Sequence, residues 1–373
     1  MTSFHCSMNP LQIGNIWLSN RIVFPPTVTN YALENGAVSE QLIEYYTTIA
    51  RNRIGLTIVG ATSISPDGIP FKYCSRIDRE EHLEGFSELF KAIKDAGSVP
   101  AIQIIHAGRQ TSSTITGVQP VAPSAIPCPV WQELPKELDQ KEIEGMEDQF
   151  AEAAFQAKYA GAELVEFHAA HGYLINQFLS PFSNHRKDIY GGSLENRTRF
   201  MTNILAKTRE KVGEGFPIIC RISADEFIEG GLTLKESKDI AFLLEENGMD
   251  VISVSGGVHA SRHLRDEAME QGKFLELASG IKEVVHLPVI AVGKILSLSL
   301  AEKALSDGVA DLIAICRAII ADPELIPKSV ENREEDIQEC IECGECLKSM
   351  RKNDMRMRCS VNEQWGSHWK ILD

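Results

Sequence analysis

The chain has 373 residues, 43% hydrophobic and 24% charged, the make-up of a globular protein with a large core rather than a disordered one. Its formal net charge of −15 argues against nucleic acid or an anionic membrane as partner, because both reward basic surfaces. Residues 1–10 lack a basic stretch followed by an apolar one, and no run of about 18 apolar residues occurs anywhere, so a cytoplasmic protein acting on small molecules is expected.

Eight apolar, β-branched runs of strand length follow one another: Arg21–Pro26, Leu56–Thr62, Val99–His106, Leu164–Ala170, Pro217–Ser223, Val251–Gly257, Pro288–Lys294 and Leu312–Arg317. Near-continuous apolarity is the mark of strands buried on both faces. Between them, Ser39–Arg53, Gly85–Ala96, Lys141–Tyr159, Leu194–Lys211, Thr233–Asn247, Phe274–Val285 and Ser297–Leu305 repeat apolar residues at helical spacing. Thr233 with Glu236 reads as a capping box, and Gly97, Gly161, Gly248 and Gly308 stand where helices should stop. An eightfold βα alternation without a G-x-G-x-x-G turn predicts a (β/α)8 TIM barrel over residues 1–330 rather than a doubly wound sheet. Thr111–Leu138, rich in proline and small residues, reads as a long loop over the barrel's top, and residues 331–373 as a short cysteine-rich C-terminal extension.

A barrel enzyme takes its active site from the C-terminal strand ends, and these ends are polar and specific. Strand three ends in Gln103 and His106, and strand four runs into His168-Ala-Ala-His171-Gly-Tyr173. Strand five carries Arg221, and Gly293 and Cys316-Arg317 follow strands seven and eight. On residues alone, Arg221 could pair with Asp225 or Glu226, Gln103 could be a core amide, and Arg317 a surface charge. The two histidines could be structural or metal-binding, Tyr173 a packed core ring, and His259 a loop residue.

Asn20-Arg-Ile-Val23, Ala101-Ile-Gln-Ile-Ile-His-Ala-Gly-Arg109 and Glu166-Phe-His-Ala-Ala-His-Gly-Tyr-Leu174, with Tyr190-Gly-Gly-Ser-Leu-Glu-Asn-Arg197 downstream, resemble the NADH:flavin oxidoreductase/Old Yellow Enzyme family across most of residues 10–330. The resemblance implies an FMN enzyme with NAD(P)H as reductant. In it Gln103 meets the flavin's pyrimidine edge and Arg221 stabilises the anion at N1 and O2. Pro26, Thr27, Val28 and Ala61 line the flavin, and Gly293, Lys294, Cys316 and Arg317 hold its phosphate. His168 and His171 grip a substrate oxygen, Tyr173 supplies a proton and His259 partners it. Val28 stands where the family often has a threonine or cysteine, and Cys316 where it usually has a smaller residue.

Cys340-x2-Cys343-x2-Cys346 followed by Cys359 presents four soft thiolates, spaced more like a ferredoxin than like the paired motif of a zinc ribbon. A [4Fe–4S] cluster is expected, with zinc and bare thiols as alternatives. The tail is similar to that of the 2,4-dienoyl-CoA reductase and trimethylamine dehydrogenase branch, whose cluster lies beside the FMN barrel. Val28 replaces the cysteine of that dehydrogenase's covalent flavin, so the FMN is expected to be non-covalent. The chain stops at Asp373, short of both relatives, so electrons are expected from NAD(P)H, a separate electron-transfer protein or a companion subunit. The resulting expectation is a homo-oligomeric enzyme that reduces the C=C bond of an α,β-unsaturated carbonyl, acid or enoyl thioester, with hydride from FMN N5. The alternatives are an amine-type dehydrogenase and an NAD(P)H-dependent flavin reductase or electron relay.

Overall fold

The computed structural model describes residues 4–261, 270–351 and 356–365. Its barrel strands are β1 Ile22–Phe24, β2 Leu56–Ser63, β3 Val99–Ile105, β4 Leu164–Ala169, β5 Ile218–Ser223, β6 Val251–Ser255, β7 Val289–Val292 and β8 Leu312–Ala314. All are parallel, each pairs with the next, and β8 pairs back to β1, so the sheet closes as expected. The expected first run is trimmed at its end because Pro25 and Pro26 have no N–H for the ladder. The expected eighth is trimmed because Arg317 opens a short helix, Arg317–Ala321, and so lies past the strand.

The seven expected helices form as α1 Glu40–Ala50, α2 Leu83–Asp95, α3 Gln140–Tyr159, α4 Leu194–Val212, α5 Leu234–Glu246, α6 Leu275–Lys282 and α7 Leu298–Ser306. Gly97 and Gly161 follow α2 and α3 with φ of +93° and +106°, which is what a helix stop asks of glycine. The capping box does not form at Thr233, whose hydroxyl lies 3.4 Å from the Glu236 carboxylate rather than on a backbone amide. It forms instead at Asp139 and Glu142, opening α3. Among the described residues, no helix is long and apolar enough to cross a membrane.

Strand alternation sorts the side chains. Val23, Ile58, Ala101, Leu164, Ile219, Val251, Ile290 and Leu312 point into the barrel and form one buried cluster with Ile13 and Leu18. These last two come from a hairpin, Leu11–Ile13 with Ile16–Leu18, that plugs the bottom. Outward residues such as Phe167, Cys220 and Ile252 pack under the helices in a second, larger cluster. The loop 111–138 carries a helical turn, Ser113–Thr116, and a two-stranded pair, Val121–Ala122 with Lys136–Glu137.

The tail is stitched to the barrel by main-chain and aromatic contacts. Met357 N donates to Thr29 O at 2.8 Å, and the Tyr31 hydroxyl donates to Met357 O at 2.9 Å. Trp365 is buried, its ring 4.9 Å from that of Tyr45 and its Nε1 donating to Ile320 O at 2.7 Å. Trp365→Ala removes this anchor at a local cost of about 3–5 kcal/mol. The expected outcome is faster tryptic cleavage after the exposed Lys348, while the barrel's urea midpoint moves little.

Candidate active site

Above the apolar plug, the inward positions turn polar. Gln103 on β3 stands in register with Glu166 on β4, and Arg221 on β5 with Ser253 on β6. Gln103 Nε2 donates to Glu166 Oε1 at 2.6 Å, inside a layer where every one of these side chains is buried. Burial pushes the Glu166 carboxyl up to about 7; the nearby Arg221 charge and hydrogen bonds from Gln103 and Ser253 pull the other way. Arg221 Nε and Glu166 Oε2 are both buried without a hydrogen-bond partner. The carboxyl beside Arg221 is thus Glu166, not Asp225 or Glu226. Glu226 instead accepts from Asn176, Ser180 and the Leu232 amide, bracing the turn after Tyr173.

His168 continues the inward parity of β4 one step higher. Its pKa is held well below the usual histidine range by burial first, then by the His171, Arg221 and His259 charges, so it is neutral near pH 7. Nδ1 accepts from the Ala170 amide at 3.2 Å, which leaves the proton on Nε2, 3.3 Å from His171 Nδ1. His171 Nε2 lies 2.8 Å from the Ser255 hydroxyl. His171 sits at φ +61°, a conformation that a bulky residue adopts only when its surroundings hold it. Here its N–H donates to Ser223 Oγ at 2.9 Å and its carbonyl accepts from Gln110 Nε2 at 3.0 Å.

The same Ser223 hydroxyl donates to Gly257 O at 2.8 Å and so ties the loop after β6 to the histidine turn. That tie carries His259 over Tyr173, with ring centroids 5.9 Å apart; the Tyr173 ring also stands edge-on to His168 at 4.8 Å. His106 is not part of this group. Its parity is outward, and it faces Asp67 Oδ2 at 3.6 Å.

The remaining expected residues ring the mouth. Val28 packs on a small apolar cluster containing Ala61 and Tyr173, and a Cβ on Gly60 would come within 3.3 Å of Pro26 and 2.9 Å of Gln103. Thr27 Oγ1 meets Cys316 Sγ at 3.4 Å, joining the ends of β1 and β8. A Cβ on Gly293 would come within 2.9 Å of Phe274. Lys294 Nζ forms an ion pair with Glu342 at 2.7 Å, linking the loop after β7 to the cysteine segment.

Cys340, Cys343, Cys346 and Cys359 line one cavity together with Arg317 and Ile320. Among the described residues, no group of three or more His, Cys, Asp or Glu side chains is close enough to hold a metal ion. Burial pushes the Cys346 thiol up to about 12, with Cys316, Cys340 and Cys359 adding to it.

Residues 8–336 match the sequence profile of the NADH:flavin oxidoreductase / NADH oxidase family. The chain belongs to that family. It is 45% identical over 367 residues to an NADH oxidase of Thermoanaerobacter brockii, covering 97% of this chain and 56% of the relative. It is 39% identical over 318 residues to an NADPH dehydrogenase of Clostridium acetobutylicum, covering 85% and 92%. Two solved structures superpose on nearly all of it. A 2-naphthoyl-CoA reductase complex with 2-naphthoyl-CoA has TM-score 0.94, 32% identity and coverage of 99% and 58%. Histamine dehydrogenase from Rhizobium sp. 4-9 has TM-score 0.87, 28% identity and coverage of 98% and 53%. The chain spans about half the length of the Thermoanaerobacter relative and of both these structures. The expected kinship and the flavin oxidoreductase class are borne out.

Glu166, Ser253, Ser223 and Ser255 were given no role from the sequence. The signal for Glu166 was there: an acid at inward parity in an otherwise apolar strand. Its folded pKa lies above its unfolded value, so the folded state holds the extra proton between the two. That stability is complete below the unfolded pKa and is lost as pH rises through the folded one. The thermal midpoint of the flavin-free protein is expected to fall between about pH 5 and about pH 8, and Glu166→Gln to flatten that fall; equal slopes in both proteins would show that this carboxyl does not titrate there.

Proposed function

We propose that the FMN-loaded protein reduces the C=C bond of an α,β-unsaturated carbonyl, acid or enoyl thioester. The observation that carries this reading is Tyr173, a phenol packed between His168 and His259 at the mouth of a barrel whose next layer down holds a buried guanidinium with an unpartnered Nε. When bound, FMN supplies the two-electron reduction of the substrate's β-carbon, with NAD(P)H as the reductant.

The residues fit that cofactor. Arg221 offers positive charge to the anion that forms on reduction, and Gln103, its Nε2 engaged by Glu166, has its carbonyl oxygen for a donor on the pyrimidine edge. Pro26, Thr27, Val28 and Ala61 would flank the ring, and backbone N–H groups near Gly293, Lys294, Cys316 and Arg317 would take the phosphate. Val28 has no nucleophile, which agrees with a non-covalent flavin.

His168 Nε2 and His171 Nδ1 face one another, so a carbonyl oxygen between them is polarised by two N–H donors only if His171 carries its proton on Nδ1. The Ser255 hydroxyl permits this by rotating to donate to Nε2. Tyr173 then protonates the α-carbon, and His259 helps return the proton to the phenol. Tyr173→Phe is expected to slow reoxidation of the reduced enzyme by an enone about 10²–10⁴-fold in anaerobic stopped flow. Loss of flavin bleaching by NAD(P)H instead would indicate a packing role for the ring.

The four cysteines around one cavity fit a [4Fe–4S] cluster. This reading rests on the cysteine spacing in the sequence and on the cavity that the four share. On this reading residues 1–330 form the FMN barrel and 331–373 the cluster-binding extension, which can pass single electrons to or from a partner protein or companion subunit. Anaerobically purified protein is expected to contain iron and acid-labile sulfide in equal amounts, and Cys346→Ser to lose both. A second reading, amine oxidation with electrons leaving through the cluster, is favoured by the likeness to histamine dehydrogenase. Anaerobic bleaching of the flavin by an amine, with no reoxidation by enones, would establish it.

A further inference from the structure

The barrel's mouth opens into a cavity of about 150 Å³ with Tyr173 and His259 in its lining. The rest of its lining is Pro70, Phe71, Ile115, Val130, Trp131 and Met350, with Gln110 as one further polar side chain, and no Asp, Glu, Lys or Arg lines it among the described residues. Those walls come from three separate additions to the bare barrel. Phe71 lies in the loop after β2, Ile115 to Trp131 in the loop over the top, and Met350 in the tail, four residues past Cys346. Met350 is buried at 5% exposure, so its side chain is packed rather than draped over an opening.

Size and chemistry agree on an occupant. A protein cavity of roughly 150 Å³ has room for a benzene-sized molecule. Phe71, Trp131 and Tyr173 offer aromatic edges and faces to a planar ring, and Met350 adds a polarisable thioether. A carboxylate or phosphate placed there would lose its hydration without a cation to replace it. We propose that this cavity is a subsite for an uncharged aryl or alicyclic ring of the substrate, with Met350 and Trp131 as the residues that set its specificity. The ring lies beyond the unsaturated head held at His168 and His171. Its part in turnover rests on the ene-reduction reading; its binding does not.

The test uses FMN-loaded protein and two saturated ketones, benzylacetone and butanone, which bind without turnover and are followed by perturbation of the flavin spectrum. Benzylacetone is expected to bind about tenfold or more tighter than butanone, and its para-carboxylate to lose that advantage. Met350→Gln and Trp131→Ser should each shrink the preference about fivefold, with the flavin content of each variant checking that it folds. Equal affinity for the two ketones, or a preference that neither variant changes, overturns the subsite. Turnover separates the two proposals. If benzylacetone binds preferentially but neither benzalacetone nor methyl vinyl ketone is reduced, the subsite stands and ene reduction falls. If both enones are reduced with like kcat/KM and the ring confers no affinity, ene reduction stands and the subsite falls.

Discussion

Inside a closed parallel barrel, a side chain has two destinations, and strand parity chooses between them. Everything at the candidate site follows from that constraint. Four neighbouring strands place Gln103, Glu166, Arg221 and Ser253 at inward positions just above an apolar plug, so a carboxyl and a guanidinium are buried side by side. No ion pair within 4.0 Å joins them, and each retains an unpartnered buried atom. Buried polar atoms are almost always paired, so a layer left in this state is short of a polar partner. A flavin edge suits it, because it can meet the guanidinium while Glu166 tempers the local charge from below.

The layer above is held by single hydroxyls rather than by bulk. Ser223 accepts from the His171 amide and donates to Gly257, so one oxygen sets both the histidine turn and the loop bearing His259. Ser255 takes the far nitrogen of His171 and can serve either tautomer. The strained φ of His171 is tolerated because these bonds, with that from Gln110, over-determine it. A turn held in this way is fixed in its backbone and adaptable in the protons of its side chains.

The tail reaches two places at once. Its cysteines surround a cavity that touches Arg317, and Met350, a few residues on, closes the apolar cavity at the mouth. Trp365 and Met357 dock it on α1 and the segment after β1. The cysteine segment is therefore joined by a short stretch of chain to the lining of that cavity.

The sequence by itself determined the barrel and picked out most of the polar residues that gather at its mouth. Eight apolar runs separated by helical periodicity allow few other arrangements, and the His168 to Tyr173 and Tyr190 to Arg197 segments carry a long, specific resemblance. It also marked the tail, because four of the chain's cysteines fall between positions 340 and 359. Tertiary structure decided who stands beside whom. That Arg221 neighbours Glu166 rather than Glu226 depends on the stagger between β4 and β5, which local patterning does not encode. Thr233 forms no capping box because its hydroxyl meets the Glu236 side chain instead of the backbone. Met350, Trp131 and Phe71 share a cavity only because three loops distant in sequence fold over one barrel end, and pairing between distant segments is a property of the closed fold rather than of any local pattern.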